Sequence, residues 1–158
     1  FKVKFFIFFH AQGLIDVFLS LPVLFVALNP KPGLGVWEFA GTSLWVIAIL
    51  GEAAADRQLE RFKSNPDNRG KTCMIGLWRY SRHPNYFFEW LIWCSYALFA
   101  LDSPYGFISI LCPLGMLYTI LYITGIPPTE EQCLRSRGEE YKRYQETTSA
   151  FVPWFRKA

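Results

Sequence analysis

The chain has 158 residues, of which 52% are hydrophobic, 18% are aromatic and 18% are charged, and its formal net charge is +3. Soluble domains carry about 25% charged residues, and the charges here are gathered in blocks between long apolar runs. The composition therefore excludes an ordinary soluble domain and predicts an all-α protein, a polytopic bundle of transmembrane helices. We expect one membrane-embedded domain, residues 1–158, in contact with membrane lipids and without a nucleic-acid partner.

The cysteines and histidines do not show the spacing of a metal or disulfide site. The cysteines are Cys73, Cys94, Cys112 and Cys133, without a Cys-x-x-Cys pair, and the chain has only two histidines. Neither a zinc site nor a disulfide framework is predicted, so we expect no bound metal. Because the sequence opens on Phe1 and not on methionine, we expect the C-terminal part of a longer chain.

Four apolar runs are predicted to cross the bilayer, which takes roughly 20 residues per helix. They cover residues 5–28, 36–55, 86–101 and 105–123. The first run contains Asp16, and the second ends with Glu52 beside a basic loop. An acid inside a membrane is costly, so each of these two is either a partner in an interhelical hydrogen bond or a functional group.

The distribution of positive charge predicts the orientation in the membrane. Every Lys and Arg other than Lys2, Lys4 and Lys31 lies between the second and third runs or after the fourth. By the positive-inside rule, both termini, this basic loop and the C-terminal tail face the cytoplasm. The expected membrane is that of the endoplasmic reticulum or the inner membrane of a bacterium.

The tail that follows Gly125 is predicted to form one cytosolic amphipathic helix. Pro127 and Pro128 would end the last span, and Thr129-Glu130-Glu131-Gln132 matches a capping box that would start the new helix. The tail then lies on the same side of the membrane as the basic loop, so the two segments can build one site.

A polar motif, Gly76–Glu89, leads into the third run and reads Gly-Leu-Trp-Arg-Tyr-Ser-Arg-His-Pro-Asn-Tyr-Phe-Phe-Glu. Pro84 suits the first turn of a helix, where its missing N–H costs nothing. A helix that starts there places Asn85 and Glu89 on one face. Glu89 is then an acid one turn inside a hydrophobic helix, an expensive position that marks the motif as a candidate functional site.

The polar side chains of the motif predict an anion site. Arg79, Arg82 and His83 can donate hydrogen bonds to phosphate oxygens. Asn85 offers both a donor and an acceptor, as recognition of an amide or an adenine edge needs. The residues alone therefore predict a cytosol-facing site for an anionic cofactor beside a lipid-lined pocket, and they do not name the cofactor.

The stretch 76–86, together with Glu89, resembles the signature of the membrane-embedded steroid 5-alpha-reductase-like and sterol reductase proteins, and especially a largely uncharacterised branch of them. The resemblance extends to Gly51-Glu52-Ala53-Ala54-Ala55-Asp56-Arg57-Gln58 upstream and to Gly125-Ile126-Pro127-Pro128 and Phe151-Val152-Pro153-Trp154 in the tail. Arg82-His83-Pro84 alone is less specific, because it also occurs in isoprenylcysteine and phospholipid methyltransferases.

The resemblance implies NADPH as the cofactor, bound from the cytosolic side by this half of the fold. Asp56 resembles the aspartate that contacts the cofactor, and Asn85 with Glu89 resembles the family element near the nicotinamide. The tail positions that resemble those closing over the cofactor are Glu130 or Glu131, Cys133, Gly138, Tyr141 and Tyr144. Two positions depart from the family pattern: Phe88 replaces a glycine and Glu52 replaces an asparagine.

The leading hypothesis is an NADPH-dependent reductase of a carbon–carbon double bond in a lipid or sterol-like substrate. Hydride would pass to the β-carbon of an enone, and a protein acid, for which the candidates are Glu89, Tyr86 and Asp16, would supply the proton. One alternative is a methyltransferase that uses S-adenosylmethionine, with Arg82-His83-Pro84 and Glu130-Glu131 in its site. A second alternative is a degenerate, non-catalytic membrane subunit.

Overall fold

The computed structural model describes residues 2–156, and in that range the protein is all-helical. Seven α-helices alternate with short loops and three 3₁₀ helices. The α-helices are α1 (Lys2–Leu19), α2 (Leu21–Ala27), α3 (Val36–Ser64), α4 (Pro84–Ala100), α5 (Leu111–Tyr122), α6 (Ile126–Arg137) and α7 (Glu139–Thr147). The 3₁₀ helices are Pro66–Asn68, Gly76–Arg79 and Gly106–Ile110. The predicted all-α class is confirmed.

Three helical segments are long and apolar enough to cross a membrane, namely Lys2–Ala27, Val36–Ser64 and Gly106–Arg137. Large apolar side chains are exposed along these segments, as contact with lipid permits. The chain is therefore a membrane protein. The predicted third span corresponds to α4, whose 17 residues fall short of the roughly 20 that a crossing takes, so the four-span topology stays a prediction.

Two predicted spans have different limits in the structure. The run 5–28 is divided into α1 and α2, because the helix is interrupted at Ser20. The predicted span 36–55 continues as helix α3 as far as Ser64, since its polar extension is rich in good helix formers. Helix α3 ends where Asn65 takes an extended conformation (φ −80°, ψ 118°), which the following Pro66 favours.

Small residues form the face of α3 that is buried in the bundle. Gly41, Ala48 and Ala55 are all buried and recur every seventh residue. A side chain at Gly41 would lie only 3.2 Å from the ring of Phe99 on α4, so the two helices approach closely there. Small interfacial residues permit this packing in membrane helices, and α3 with α4 is the most extensive helix pair of the fold.

The prediction of one tail helix that starts at a capping box is wrong. Helix α6 already begins at Ile126 with Pro127 and Pro128 in its first turn, where proline needs no N–H partner. Thr129 lies inside that helix and donates its hydroxyl to the Gly125 carbonyl over 2.8 Å. The tail then breaks into α6 and α7 at residue 138, a glycine with φ of 57°, because a positive φ favours glycine.

The segment after α7 runs back across the motif and fixes the tail to it. The Arg82 amide donates to the Ser149 carbonyl at 2.8 Å, and the Trp154 amide donates to the Tyr80 carbonyl at 2.9 Å. The buried Ser81 hydroxyl donates to the Phe151 carbonyl, also at 2.8 Å. These bonds place the motif and the tail in direct contact, so residues of both can share one site.

Candidate functional site

A cavity of about 290 Å³ lies where the end of α3, the loop 68–73, the motif and the tail helices meet. Such a volume is close to the lower end for small-molecule sites. The basic residues that line it are Lys63, Arg69, Lys71, Arg82 and Arg137. Asp and Glu are absent from the lining in the described part of the chain. The cavity is therefore a cationic site.

Aromatic side chains form a rigid wall of this cavity. Trp78 is 7% exposed and donates its indole N–H to the Ala55 carbonyl at 2.8 Å, which fastens the motif to α3. Tyr141 and Tyr144 of α7 line the cavity and are 3% and 2% exposed. Burial, together with the charge of Glu130, raises the pKa of Tyr141 above its usual range. Burial also raises the pKa of Tyr144, so both phenols stay protonated at neutral pH.

Three buried polar atoms at the cavity have no hydrogen-bond partner among residues 2–156. They are Oγ1 of Thr72, Oδ1 of Asn85 and Nε of Arg137, and all three residues belong to the cavity lining. A buried polar atom that lacks a partner costs about 1–3 kcal/mol. Their convergence on one cavity is therefore the pattern expected of a site whose ligand supplies the missing partners.

Glu130 on α6 is the centre of a polar network behind the cavity. Its carboxylate accepts hydrogen bonds from Arg82 Nε at 2.6 Å and Gln145 Nε2 at 2.8 Å, and it lies 3.2 Å from His83 Nε2. Glu130 lies beyond the apolar segment 106–123, in the polar part of the tail. Burial opposes its ionisation, but the hydrogen bonds from His83, Arg82 and Gln145 and the charge of Arg82 lower the pKa of Glu130 to about 2. The carboxylate is thus ionised at neutral pH.

The contacts of Arg82 show that this residue holds the tail in place. Its Nη1 donates to the carbonyls of Gln145 at 2.8 Å and Thr148 at 2.6 Å, in addition to the bond from Nε to Glu130. Three of its five N–H donors therefore serve the protein itself. Arg82 also lines the cavity, so at most its remaining donors can reach a ligand.

The structure brings six of the predicted site residues together at the cavity. They are Arg82, His83, Asn85, Tyr86, Tyr141 and Tyr144. The rings of His83 and Tyr86 are stacked, with centroids 5.4 Å apart and planes 7° from parallel. Glu130 contacts two of these residues from outside the lining. Cys133 lines the cavity as well, as the resemblance implies.

The other predicted site residues lie away from the cavity lining. Glu131 is exposed and pairs with Arg135 one turn along α6. Arg79 is exposed on its 3₁₀ helix, and Asp16 is exposed on α1. Their predicted roles stay predictions, and the structure does not place them beside the residues named above.

Two further predicted residues, Asp56 and Glu89, belong to a separate acidic group. Glu89 on α4 interacts electrostatically with Asp56 and with Glu52 on α3. Asp56 is exposed and Glu89 is half-buried, and neither lines the cavity.

Several cavity residues are missing from the sequence-based prediction. They are Lys63, Arg69, Lys71, Thr72 and Arg137. The charges of the basic loop predict the orientation in the membrane, and no local pattern marks its residues as ligand-binding. The one available signal is the sequence Arg69-Gly70-Lys71-Thr72, in which cations and a hydroxyl flank a glycine with φ of 79°.

Phe88, which departs from the family pattern, packs away from the cavity. A side chain added at Gly51 of α3 would meet the Phe88 ring at 2.3 Å, so the ring lies directly over this glycine. The lining of the cavity does not include Phe88. Phe88 therefore serves the contact between α3 and α4 and does not narrow the cavity.

The helices and their exposed apolar surfaces define the class of the molecule, which is a helical membrane protein with a cationic cavity at the junction of a basic loop and a C-terminal tail. The chain belongs to the family described as "Protein of unknown function (DUF1295)", whose model matches residues 1–148. Comparisons with the curated proteins and with the solved structures found no match.

Proposed function

We propose that the protein is an NADPH-dependent membrane reductase of a carbon–carbon double bond in a lipid or sterol-like substrate. The observation that carries the proposal is the cationic cavity, whose lining combines five Lys and Arg side chains with three buried polar atoms that lack partners. A dinucleotide phosphate offers several phosphate oxygens to such donors. The resemblance of the motif to the steroid 5-alpha-reductase-like proteins supports the same cofactor.

The residues present fit a part of this cofactor. Arg137 and Thr72 can donate to phosphate oxygens, and the unpaired Oδ1 of Asn85 can accept an N–H from a carboxamide or an adenine. Tyr141 and Tyr144 offer flat apolar faces. Since about 290 Å³ is at the lower end for ligand sites, we expect the cavity to hold one portion of a dinucleotide.

The chemistry of the reaction assigns different tasks to the cofactor and to the chain. When bound, NADPH supplies a hydride. The chain must hold the cofactor, exclude water and supply a proton, and we propose Tyr86 or Glu89 for the last task because both lie on the first turns of α4. Tyr86 lines the cavity and its hydroxyl is hydrogen-bonded to Thr129 at 3.2 Å, whereas Glu89 lies outside the lining, so the two candidates would serve different portions of the cofactor.

The methyltransferase alternative fits the charge of the cavity less well. The methyl donor carries a cationic sulfonium, whereas the described lining contains basic residues and lacks carboxylates. The departure from the family pattern at Phe88 would favour a non-catalytic subunit if this ring blocked the cavity. Phe88 instead packs against Gly51 and does not line the cavity. The binding experiment described next distinguishes the methyltransferase and the non-catalytic subunit from the reductase.

Ligand-induced stabilisation of the purified protein in detergent tests the proposal. A ligand present at a hundred times its dissociation constant stabilises the folded state by about 2.7 kcal/mol, so NADPH should raise the melting temperature. Asn85→Ala should reduce this shift, because it removes the unpaired amide oxygen. Arg82→Ala is unsuitable as a test of binding, since it would also release the tail.

The same titration with S-adenosylmethionine separates the alternatives. A response to the methyl donor without a response to NADPH would refute the reductase proposal. A protein that responds to neither compound would support the non-catalytic reading.

A further inference from the structure

We propose that the Thr72–Arg137 part of the cavity is a subsite for a phosphate monoester, and that it makes the protein prefer NADPH to NADH. The inference rests on the proposed function, because it assigns a specificity role to residues of the same cavity. NADPH and NADH differ only in one phosphate monoester, on the adenosine ribose. A residue that binds this group should therefore strengthen the binding of NADPH and leave the binding of NADH unchanged.

Thr72 is fixed in place while its hydroxyl is left without a partner. The Thr72 amide donates to Glu140 Oε1 of α7 at 2.8 Å, which holds the loop 68–73 against the tail. The residue is 5% exposed, yet its Oγ1 has no hydrogen-bond partner. A buried hydroxyl at a cavity is a donor for an oxygen-rich ligand.

Arg137 is a half-buried cation that forms no ion pair with a carboxylate among the described residues. Its Nη1 donates to the Cys133 sulfur at 3.0 Å, and a thiol is a weak acceptor. Its Nε is buried and unpaired. Arg137 also acts electrostatically on Cys73, the neighbour of Thr72, so the two unpaired donors belong to one region of the cavity.

The charges around these two donors favour a dianion over a neutral group. Arg69 and Lys71 of the same loop line the cavity together with Arg137. Arg69 and Lys71 are exposed, so they can turn towards a bound anion. A phosphate monoester would neutralise these positive charges while accepting several hydrogen bonds. The carboxylate of Glu140 accepts the Thr72 amide and is not part of the cavity lining.

Asn85 indicates that the same ligand has a second, different part. Its unpaired atom is an amide oxygen, which accepts an N–H. The oxygens of an ionised phosphate are also acceptors, so they cannot pair with it. The cavity therefore needs a ligand that carries both an anion and an N–H donor, which a free phosphate ion does not. A nucleotide with a phosphate monoester meets both requirements.

Fluorescence titration of the protein in detergent with NADPH and with NADH tests the subsite, because the two nucleotides share one fluorophore. Arg137→Gln should weaken NADPH binding about tenfold to hundredfold, since a hydrogen bond to a charged group contributes about 1.5–3 kcal/mol. Thr72→Val should weaken it about threefold to tenfold. Neither variant should change NADH binding by more than about threefold, because NADH lacks the phosphate that these residues contact.

Arg135→Gln is the matched control, because Arg135 lies on the same helix but is 77% exposed and pairs with Glu131. It removes the same charge and should leave the binding of both nucleotides unchanged. The melting temperature of Thr72→Val without ligand should equal that of the wild type, because the lost hydroxyl makes no hydrogen bond to any residue that the structure describes.

Three outcomes decide between the subsite and the proposed function. Equal binding of NADPH and NADH, in the wild type and in Arg137→Gln, would overturn the subsite and leave the reductase proposal intact. If neither nucleotide binds but adenosine 2′,5′-bisphosphate does, and this binding depends on Arg137, the subsite stands and the reductase proposal fails. Tighter binding of a short-chain phosphatidic acid than of the bisphosphate would assign the anion to a lipid and overturn the nucleotide subsite.

Discussion

Replacing Gly51 with alanine should destabilise the protein through a single side chain, Phe88. The added Cβ would lie 2.3 Å from Cε1, 2.4 Å from Cδ1 and 2.6 Å from Cζ of the Phe88 ring. Carbon atoms that are not bonded pack best at about 3.5–4.0 Å. The ring, or the two helices that carry the pair, must therefore move apart by about 1 Å or more.

The expected net loss is about 1–2 kcal/mol. Forcing an extra carbon into a packed contact costs about 1–3 kcal/mol, whereas alanine in place of glycine favours a helix by up to about 1 kcal/mol. The steric cost should exceed the gain in helix propensity, because the three atoms nearest to the added Cβ all belong to one aromatic ring. In a Phe88→Ala background that ring is absent, and Gly51→Ala should become neutral or stabilising.

Reversible unfolding in mixed micelles, monitored by circular dichroism, would measure these differences. The double-mutant cycle of the two positions should give a coupling energy of about 1–3 kcal/mol. Gly13→Ala is the control, since nothing lies within 4 Å of a Cβ at that site, and it should not lower stability. If Gly51→Ala alone matched the stability of the wild type, with no coupling to Phe88, the packing argument would be refuted.

Two further predictions compare a shielded ion pair with an exposed one. Glu130→Gln should destabilise the fold by about 1–3 kcal/mol at neutral pH, because it weakens bonds to a charged group. Since its hydrogen bonds from His83 and Arg82 outweigh burial and lower the pKa of Glu130 to about 2, this contribution is present above about pH 4.5 and is lost as the pH falls towards 2. The difference in melting temperature between wild type and variant should decrease as the pH falls from 7 to 2.5. A difference that stays constant would contradict the stabilising role of the ionised Glu130 carboxylate. Lys31→Ala removes a bond to Asp102 between side chains that are 60% and 29% exposed, so it should cost less than about 1 kcal/mol in the same melting assay; a larger loss would mean that this pair holds two loops together.

The sequence predicts which segments are helical membrane segments but not where they break. An apolar run of about 20 residues predicts a helix, because in the bilayer the backbone N–H and C=O groups of a segment must form hydrogen bonds with each other. The interruption at Ser20 has no strong sequence signal, and Pro127 looks like a helix stop although it occupies a first turn. Both positions are decided by packing between segments that are distant in the sequence.

The role of each basic residue in the site depends on long-range contacts. Arg82 and Arg137 look equally suited to bind an anion in the sequence. Arg82 is engaged by acceptors that lie 48 to 66 residues further along the chain, whereas the Nε of Arg137 is left unpaired. The motif therefore leads to the part of the fold where the cavity lies, while the basic residue that is left free to bind a ligand can be recognised only from the fold.

The path of the segment after α7 has a consequence for how the protein is made. This segment follows the apolar helices in the sequence, and its bonds to Tyr80, Ser81 and Arg82 hold against the motif the tail whose Tyr141 and Tyr144 line the cavity. During synthesis the earlier helices can therefore enter the membrane while the site is still open, because folding begins from the N-terminal part of a chain. A truncation within α7 should give a protein that reaches the membrane but lacks part of the cavity wall, and under the proposed function this protein would not bind the nucleotide.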